Sequence, residues 1–373
     1  MSPHGAHNRR VVTVAGALGL ALGTLVAVSP PGQAVVSSCL ATNVTSGAAA
    51  SGDLQGVIDA ATAGDTIQVE GICSGGFTIG KDLSVLGKAT IDVPAATLDG
   101  GDVSTVLSLP GGPGVEVTLT DLTITHGFSA AGGGVNNAGT LTLNGSSSVT
   151  ENRVPTGVGG GSGGGIFNSG VLTMKGSASV TDNAGRYGGG VSNAGTMAMN
   201  GLSSVSSNTG RYGGGLINGD GLVTLSDSAS VSGNTGRDGG GIYNQTGTVL
   251  LSGSASVSDG TAAHSGGGVY NLGTVKLSGT SRVSTSTSTY GGGGIRNYGI
   301  VILHGSSRIS ANTSSYGGGI YNNRGDVTLN DTSSVSRNTA TLGGGGIYNN
   351  HGTVRLRDSS TVRRNDPDNC VQC

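Results

Sequence analysis

Three short patterns of apolar and polar positions recur along most of the chain. The first is Gly-Gly-Gly, an aliphatic residue, any residue and Asn, closing at Asn137, Asn168, Asn193, Asn218, Asn244, Asn271, Asn297, Asn322 and Asn349. The intervals between these Asn are 31, 25, 25, 26, 27, 26, 25 and 27 residues. The second is a pair of apolar residues separated by one, running from Leu141/Leu143 to Val354/Leu356. The third is aliphatic-x-x-Asn, from Val149–Asn152 to Val362–Asn365, with Gly260 and Ser286 replacing Asn in two units. Alternation of period two predicts strands, so each unit holds three of them between Gly- and Ser-rich turns. One such unit cannot bury its inner face alone, whereas stacked copies give every strand a parallel neighbour. The pattern therefore predicts an all-β parallel β-helix of about eleven or twelve three-strand coils, a rod roughly 55 Å long at about 4.8 Å per coil. The recurring Asn are expected to point inward and form amide ladders from coil to coil. Helical repeats are excluded, because no apolar pattern of period 3.6 appears.

A solenoid has open sheet edges at both ends that must be covered. Ser51-Gly52-Asp53 followed by Leu54, Val57, Ile58 and Ala61 reads as an N-capped amphipathic helix that ends at Gly64 and lids the front. The tail Asp366 to Cys373 covers the back. The four cysteines, Cys39, Cys73, Cys370 and Cys373, allow three pairings, and the rod separates them into a front pair and a back pair. Cys39–Cys73 and Cys370–Cys373 are the expected disulfides, and disulfides fit an exported protein.

Residues 1–34 read as a secretory signal: Arg9 and Arg10 supply the positive end, Val11 to Val28 is uncharged and apolar, and Pro30-Pro31 breaks the helix before a cleavage site after Ala34. The arginine pair permits a twin-arginine route. Val36-Ser37-Ser38-Cys39 loosely matches a lipobox, which offers lipid anchoring through Cys39 as the alternative. The expected organisation is 1–34 signal, 35–80 cap, 81–365 β-helix and 366–373 tail. The mature product is expected to be soluble, secreted, monomeric and not membrane-spanning.

Gly supplies 74 of the 373 residues and charged residues only 11%. Gly in triplets with few Pro excludes collagen, and 35% apolar content with a net charge of −2 argues against disorder. The same balance excludes a nucleic-acid binder in bulk. Charge is nonetheless uneven: residues 35–281 hold 8 basic and 16 acidic side chains, whereas 282–373 hold 9 Arg and 5 Asp. A rod polarised in this way suits an acidic polymer at its C-terminal end, or head-to-tail association.

The Gly-Gly-Gly-aliphatic motif together with aliphatic-x-x-Asn resembles the paired repeats of the polymorphic outer membrane protein family. More broadly, the chain is similar to the right-handed parallel β-helix, pectin-lyase-like superfamily, whose usual start resembles the capping helix followed by Gly64-Asp65-Thr66-Ile67. The repeats span roughly residues 119 to 365. Here a third Gly stands where the family has Ala, and Val or Ile where it has Phe; the family's membrane-barrel C-terminus is absent. The first resemblance implies adhesion or surface display, the second polysaccharide cleavage, and fold alone decides neither.

Candidate chemistry is sparse. No two acids are adjacent, and the six His are dispersed, so no metal and no cofactor is expected. Repeat register offers one carboxylate pair, Asp331 and Asp358, about 5 Å apart at the backbone and close to Arg355 and Arg357; the separation approaches that of a retaining glycosidase. The plainer reading is two turn aspartates neutralised by arginine. The insertion Val154 to Gly161 is the one candidate lip for a cleft. Arg324-Gly325-Asp326 is read as a chance tripeptide, and the threonines flanking the central apolar residues are too irregular for an ice-binding face. The outward residue of the triplet strand reads Asn136, Phe167, Ser192, Ile217, Tyr243, Tyr270, Arg296, Tyr321 and Tyr348 in successive coils. Phe167, Tyr243, Tyr270, Arg296, Tyr321 and Tyr348 are the candidate ligand-binding stripe, on which sugar rings could stack, although stacked tyrosines also stabilise neighbouring strands. Arg186-Tyr187 and Arg211-Tyr212 repeat the theme just before their triplets. The expectation is a secreted, non-enzymatic adhesion or scaffold protein contacting polysaccharide or another cell-surface component. The alternative is a polysaccharide lyase or glycoside hydrolase.

Overall fold

The computed structural model describes residues 38–111, 115–155 and 161–373. The expected signal segment and most of the insertion between Val154 and Gly161 lie outside them. From Ser37 onward the chain is one compact unit, an all-β parallel solenoid built on sheets of 14, 12 and 12 strands. Each recurring pattern forms its own sheet. The paired apolar residues lie in register, as in Leu141↔Leu172 and Leu143↔Met174. The aliphatic-x-x-Asn strands stack as Val149↔Val180, and the triplet strands as Val135↔Ile166 and Asn137↔Asn168. Inward Val, Leu and Ile of all three sheets are buried as far as the last coil, where Val354 and Val362 are half-buried and Leu356 is exposed, which gives one continuous apolar column.

Both Asn columns form ladders. From Asn137 to Asn349 every Nδ2 donates to the Oδ1 of the next coil at 2.7–2.9 Å. In the second ladder the receiving Oδ1 also accepts the main-chain N–H of the Asn before it, as from Asn183 to Asn208. That ladder runs from Asn152 to Asn234 and from Asn312 to Asn365. At the break the Ser286 hydroxyl accepts from the Gly260 N–H at 3.2 Å. These bonds satisfy buried polar groups that would otherwise cost the fold heavily.

The expectation of three strands per coil needs one correction. Seven successive coils carry a fourth, from Ala184–Tyr187 to Thr339–Gly343, which together make a seven-stranded sheet. Its inward residues are small (Gly185, Gly210, Ala262, Ser288, Ser314, Ala340), because this sheet lies directly on the backbone of the glycine triplets. A Cβ on Gly210 would stand 2.7 Å from the Gly213 carbonyl and 2.9 Å from the Gly189 nitrogen. Its outward column holds Thr209, Thr235, Thr261, Thr287, Thr313 and Thr339, all exposed and in register. The first Gly of each triplet turns the chain from this sheet into the next with φ between 58° and 70°, a region that glycine enters freely.

At the front, α1 (Leu54–Ala60) buries Leu54, Val57 and Ile58, and Asp53 caps it by accepting from the Gly56 N–H at 2.8 Å. The helix stops at Ala60 rather than Gly64. An antiparallel hairpin of Leu40–Asn43 and Ala49–Ser51 lies along strand Asp65–Glu70 and covers the sheet edge beside it. Cys39 and Cys73 are joined by a disulfide with a Cα separation of 4.5 Å; a sulfur held in that bond is not free for a lipid thioether. At the back, Cys370–Val371 pairs with Ile347 and Tyr348. The tail also closes both ladders: Asn349 donates to the Gln372 carbonyl at 2.8 Å, and Asn365 donates to Asn369 Oδ1 at 3.2 Å. Cys370 and Cys373 stand with their Cα atoms 6.0 Å apart, within disulfide reach. Among the described residues no helix is long and apolar enough to cross a membrane.

Candidate functional site

The triplet strands carry a buried aliphatic residue, one outward residue and a buried ladder Asn, so the outward residues form a column fixed by register. Tyr243↔Tyr270, Tyr270↔Arg296, Arg296↔Tyr321 and Tyr321↔Tyr348 are direct neighbours. Asn136, Phe167, Ser192 and Ile217 continue the column toward the front. The turn at the first triplet Gly folds the fourth sheet alongside, so its terminal tyrosines reach the same column. Tyr212 meets Tyr243 edge-on at 5.5 Å, and Tyr316 meets Tyr348 at 5.2 Å.

The result gathers all nine tyrosines of the chain into one cluster through Arg296. Tyr187–Tyr212, Tyr243–Tyr270 and Tyr321–Tyr348 stack with centroids 5.5, 4.9 and 5.1 Å apart and planes within 25°. Tyr298 joins from the turn after its strand, 5.6 Å from Tyr270, and Tyr290 sits 5.9 Å from Tyr316. The sequence stripe contained four of these rings. Tyr187 and Tyr212 were marked by their place just before a Gly triplet, and Tyr290 and Tyr316 carry the same mark, a Tyr directly before a run of glycines.

Arg296 is 5% exposed. Its guanidinium lies 3.7 Å from the Tyr321 centroid and 5.0 and 5.4 Å from those of Tyr298 and Tyr290, and its Nη2 donates to the Tyr298 hydroxyl at 2.8 Å. Aromatic faces thus take the place of a carboxylate partner. Arg186 and Arg211 lie over Tyr187 and Tyr212 in the same way, each 5.5 Å from the centroid. With Arg237, Gly185, Gly210 and Thr209 they line a shallow groove of about 420 Å³.

The phenols are tuned apart. Burial pushes Tyr243, Tyr270 and Tyr321 above the ordinary tyrosine value, and Tyr270 is raised further by its bond to Tyr298. Burial also acts upward on Tyr298, but hydrogen bonds from Arg296 and Asn323 and the Arg296 charge bring it below that value. Where the tyrosine column is interrupted, Asp238 takes the register position of Tyr212. Its nearly buried carboxylate holds His264 Nδ1 at 2.6 Å, and His264 stacks on Tyr290 at 5.7 Å. This His–Asp pair had no sequence signature, since its members lie 26 residues apart.

Asp331 and Asp358 occupy equivalent turns one coil apart, both with φ of 56°. The Asp331 carboxylate accepts from the Gly305 N–H at 2.7 Å, and the Asp358 carboxylate accepts from the Asp331 N–H at 3.0 Å. Arg355 pairs with Asp326 instead, and Arg357 forms no ion pair among the described residues. Among the described residues no three His, Cys, Asp or Glu side chains are grouped to hold a metal. No protein-family model, curated protein or solved structure matches this chain.

Proposed function

We propose that this chain is a secreted, disulfide-stabilised binding protein that uses its tyrosine–arginine face to hold a polysaccharide at an extracellular surface. One observation carries the reading: nine phenols and an arginine, drawn from seven coils, are aligned along one edge of a rigid rod. The Cys39–Cys73 disulfide is compatible with an oxidising compartment. The resemblance to polymorphic outer membrane repeats supports display or adhesion. Rings stacked coil on coil cover one another's faces, so a polymer lying along the rod meets ring edges and hydroxyls. Recognition is therefore by hydrogen bonds from phenols to sugar hydroxyls, with ring faces available only at the ends of each stack.

Affinity electrophoresis through gels containing neutral and acidic polysaccharides tests this. Tyr187→Phe, Tyr212→Phe, Tyr243→Phe and Tyr348→Phe combined keep the stacks and remove four hydroxyls. The wild type should be retarded by at least one polymer and the combined variant released. Equal mobility of the two in every gel that retards the wild type would sink the reading.

The His264–Asp238 pair favours a second reading, polysaccharide cleavage, because a carboxylate-oriented imidazole beside phenols is suited to general acid–base work. Release of reducing or unsaturated sugar ends, lost in His264→Gln, would establish it.

A further inference from the structure

The face of the rod formed by the aliphatic-x-x-Asn sheet changes character toward the C-terminus. Its outward positions are Ser or Thr from Ser148 to Ser258, and among the eight that follow three are arginines, Arg282, Arg308 and Arg363. Arg282 lies in register beside Arg308. Arg308 neighbours Ser334, and Ser336 neighbours Arg363. The left-handed residue that precedes each ladder position, Asn or its replacements Gly260 and Ser286, runs Glu151, Asp182, Ser207, Gly233, Asp259, Thr285, Ala311, Arg337, Arg364, all with φ between 52° and 61°. This column passes from acidic to basic along the rod, and Arg337 and Arg364 stand one coil apart, joined by an N–H to carbonyl bond of 3.1 Å.

Two like-charged neighbours are thus built into this face, Arg282/Arg308 and Arg337/Arg364, and like charges in direct register destabilise a sheet. None of Arg282, Arg308, Arg337, Arg363 or Arg364 makes an ion pair among the described residues, and all five are exposed. The turn carboxylates Asp331 and Asp358, which precede the last two strands of this sheet, accept from backbone N–H groups, and Asp331 also faces His304 Nδ1 at 3.6 Å. The arginines border two adjoining hollows of about 340 and 220 Å³ that share Arg308 and Ser310. Arg308, Arg337, Arg363 and Arg364 line the smaller one together with Ser310, Thr332, Ser334 and Ser336.

We propose that this face binds a linear polymer of phosphate groups laid along the rod. Several forked donors around one small hollow exceed what one planar carboxylate can satisfy, whereas phosphate oxygens accept from several arginines and hydroxyls together. No aromatic ring lies on the face, so neither a sugar nor a base is stacked there, and recognition falls on the anionic groups themselves. Bound phosphate would relieve the repulsion between the stacked arginines. The inference is independent of what the tyrosine face holds.

The test uses fluorescently labelled long-chain inorganic polyphosphate and poly(glycerol phosphate), with polygalacturonate and duplex DNA of matched charge as comparators. Wild-type protein should bind both phosphate polymers at low salt, lose them as salt is raised, and melt at higher temperature in their presence. The combined variant Arg308→Gln, Arg337→Asn, Arg363→Gln and Arg364→Asn should bind at least about tenfold more weakly; Asn is chosen where φ is positive. Should that variant not fold, Arg308→Lys with Arg363→Lys keeps the charge and loses the fork, and should still weaken binding. Binding of polyphosphate but not poly(glycerol phosphate) confines the site to the free polyanion, while binding of both extends it to flexible single-chain phosphodiesters. No binding of either by wild type, or polygalacturonate or DNA bound as tightly, overturns the proposal.

Discussion

The guanidinium of Arg296 lies over the ring of Tyr321, 3.7 Å from its centroid, where register would have stacked tyrosine on tyrosine. Two of its nitrogens, Nε and Nη1, are buried without a hydrogen-bond partner. A neutral ring of similar bulk should therefore serve the fold at least as well. Arg296→Tyr is expected to keep or raise the melting temperature, while Arg296→Ala should lower stability by about 1–3 kcal/mol through lost packing; denaturant titration separates the two.

The same arginine sets the order in which the phenols ionise. Tyr298 should lose its proton before Tyr243, Tyr270 and Tyr321, and Arg296→Met should move that titration upward, as read by tyrosinate absorbance. For Tyr243, Tyr270 and Tyr321 the folded value is raised above the ordinary 10.0. Their contribution to stability is complete below that value and is lost as pH rises through the folded ones. Tyr298 acts in the opposite sense, but three groups oppose one. Thermal stability should fall above about pH 10, less steeply in Tyr270→Phe.

The third Gly of the triplets answers to the second Asn ladder. A Cβ on Gly190 would stand 2.8 Å from the Asn208 amide nitrogen, and one on Gly215 would stand 2.7 Å from that of Asn234. Gly190→Ala should cost about 1–3 kcal/mol by overpacking. Asn208→Ala should cost a similar amount, because it removes the side-chain acceptor of the Asn183 N–H and a donor to each of the Val180 and Ser206 carbonyls. Paired melting curves of the single and double variants would show coupling between the two.

Most of the scaffold could be read from the chain. Register, ladders, the tyrosine column and the front disulfide all follow from residues repeating at a nearly constant interval. The fourth sheet did not, because its inward positions are Gly, Ala and Ser rather than Val and Leu, so no apolar alternation marks it. The hairpin Leu40–Ser51 was missed for a related reason: its strands are short and only Ala41 and Asn43 are buried in them. The arginine face was legible only as a charge imbalance. Its members fall at three different offsets within the repeat, and only the coil geometry brings Arg337 and Arg364 beside Arg308 and Arg363.

The Cys39–Cys73 bond closes a loop of 34 residues at the front. Cys73→Ser should lower stability by about 4 kcal/mol in the loop-entropy treatment. Because each coil contacts only its neighbours, the loss should appear as early proteolysis near α1 while the tyrosine face stays protected. Mass spectrometry of the unreduced protein should find Cys370 and Cys373 joined to each other.

The tail accepts the last Asn of each ladder through the Gln372 carbonyl and the Asn369 amide oxygen, the same bonds that one more coil would supply. Both terminal pieces therefore fit any neighbour that carries the repeat. The number of coils is then an adjustable dimension. Excising or duplicating one whole unit would shift the arginine face relative to the front cap by a single rung of about 4.8 Å.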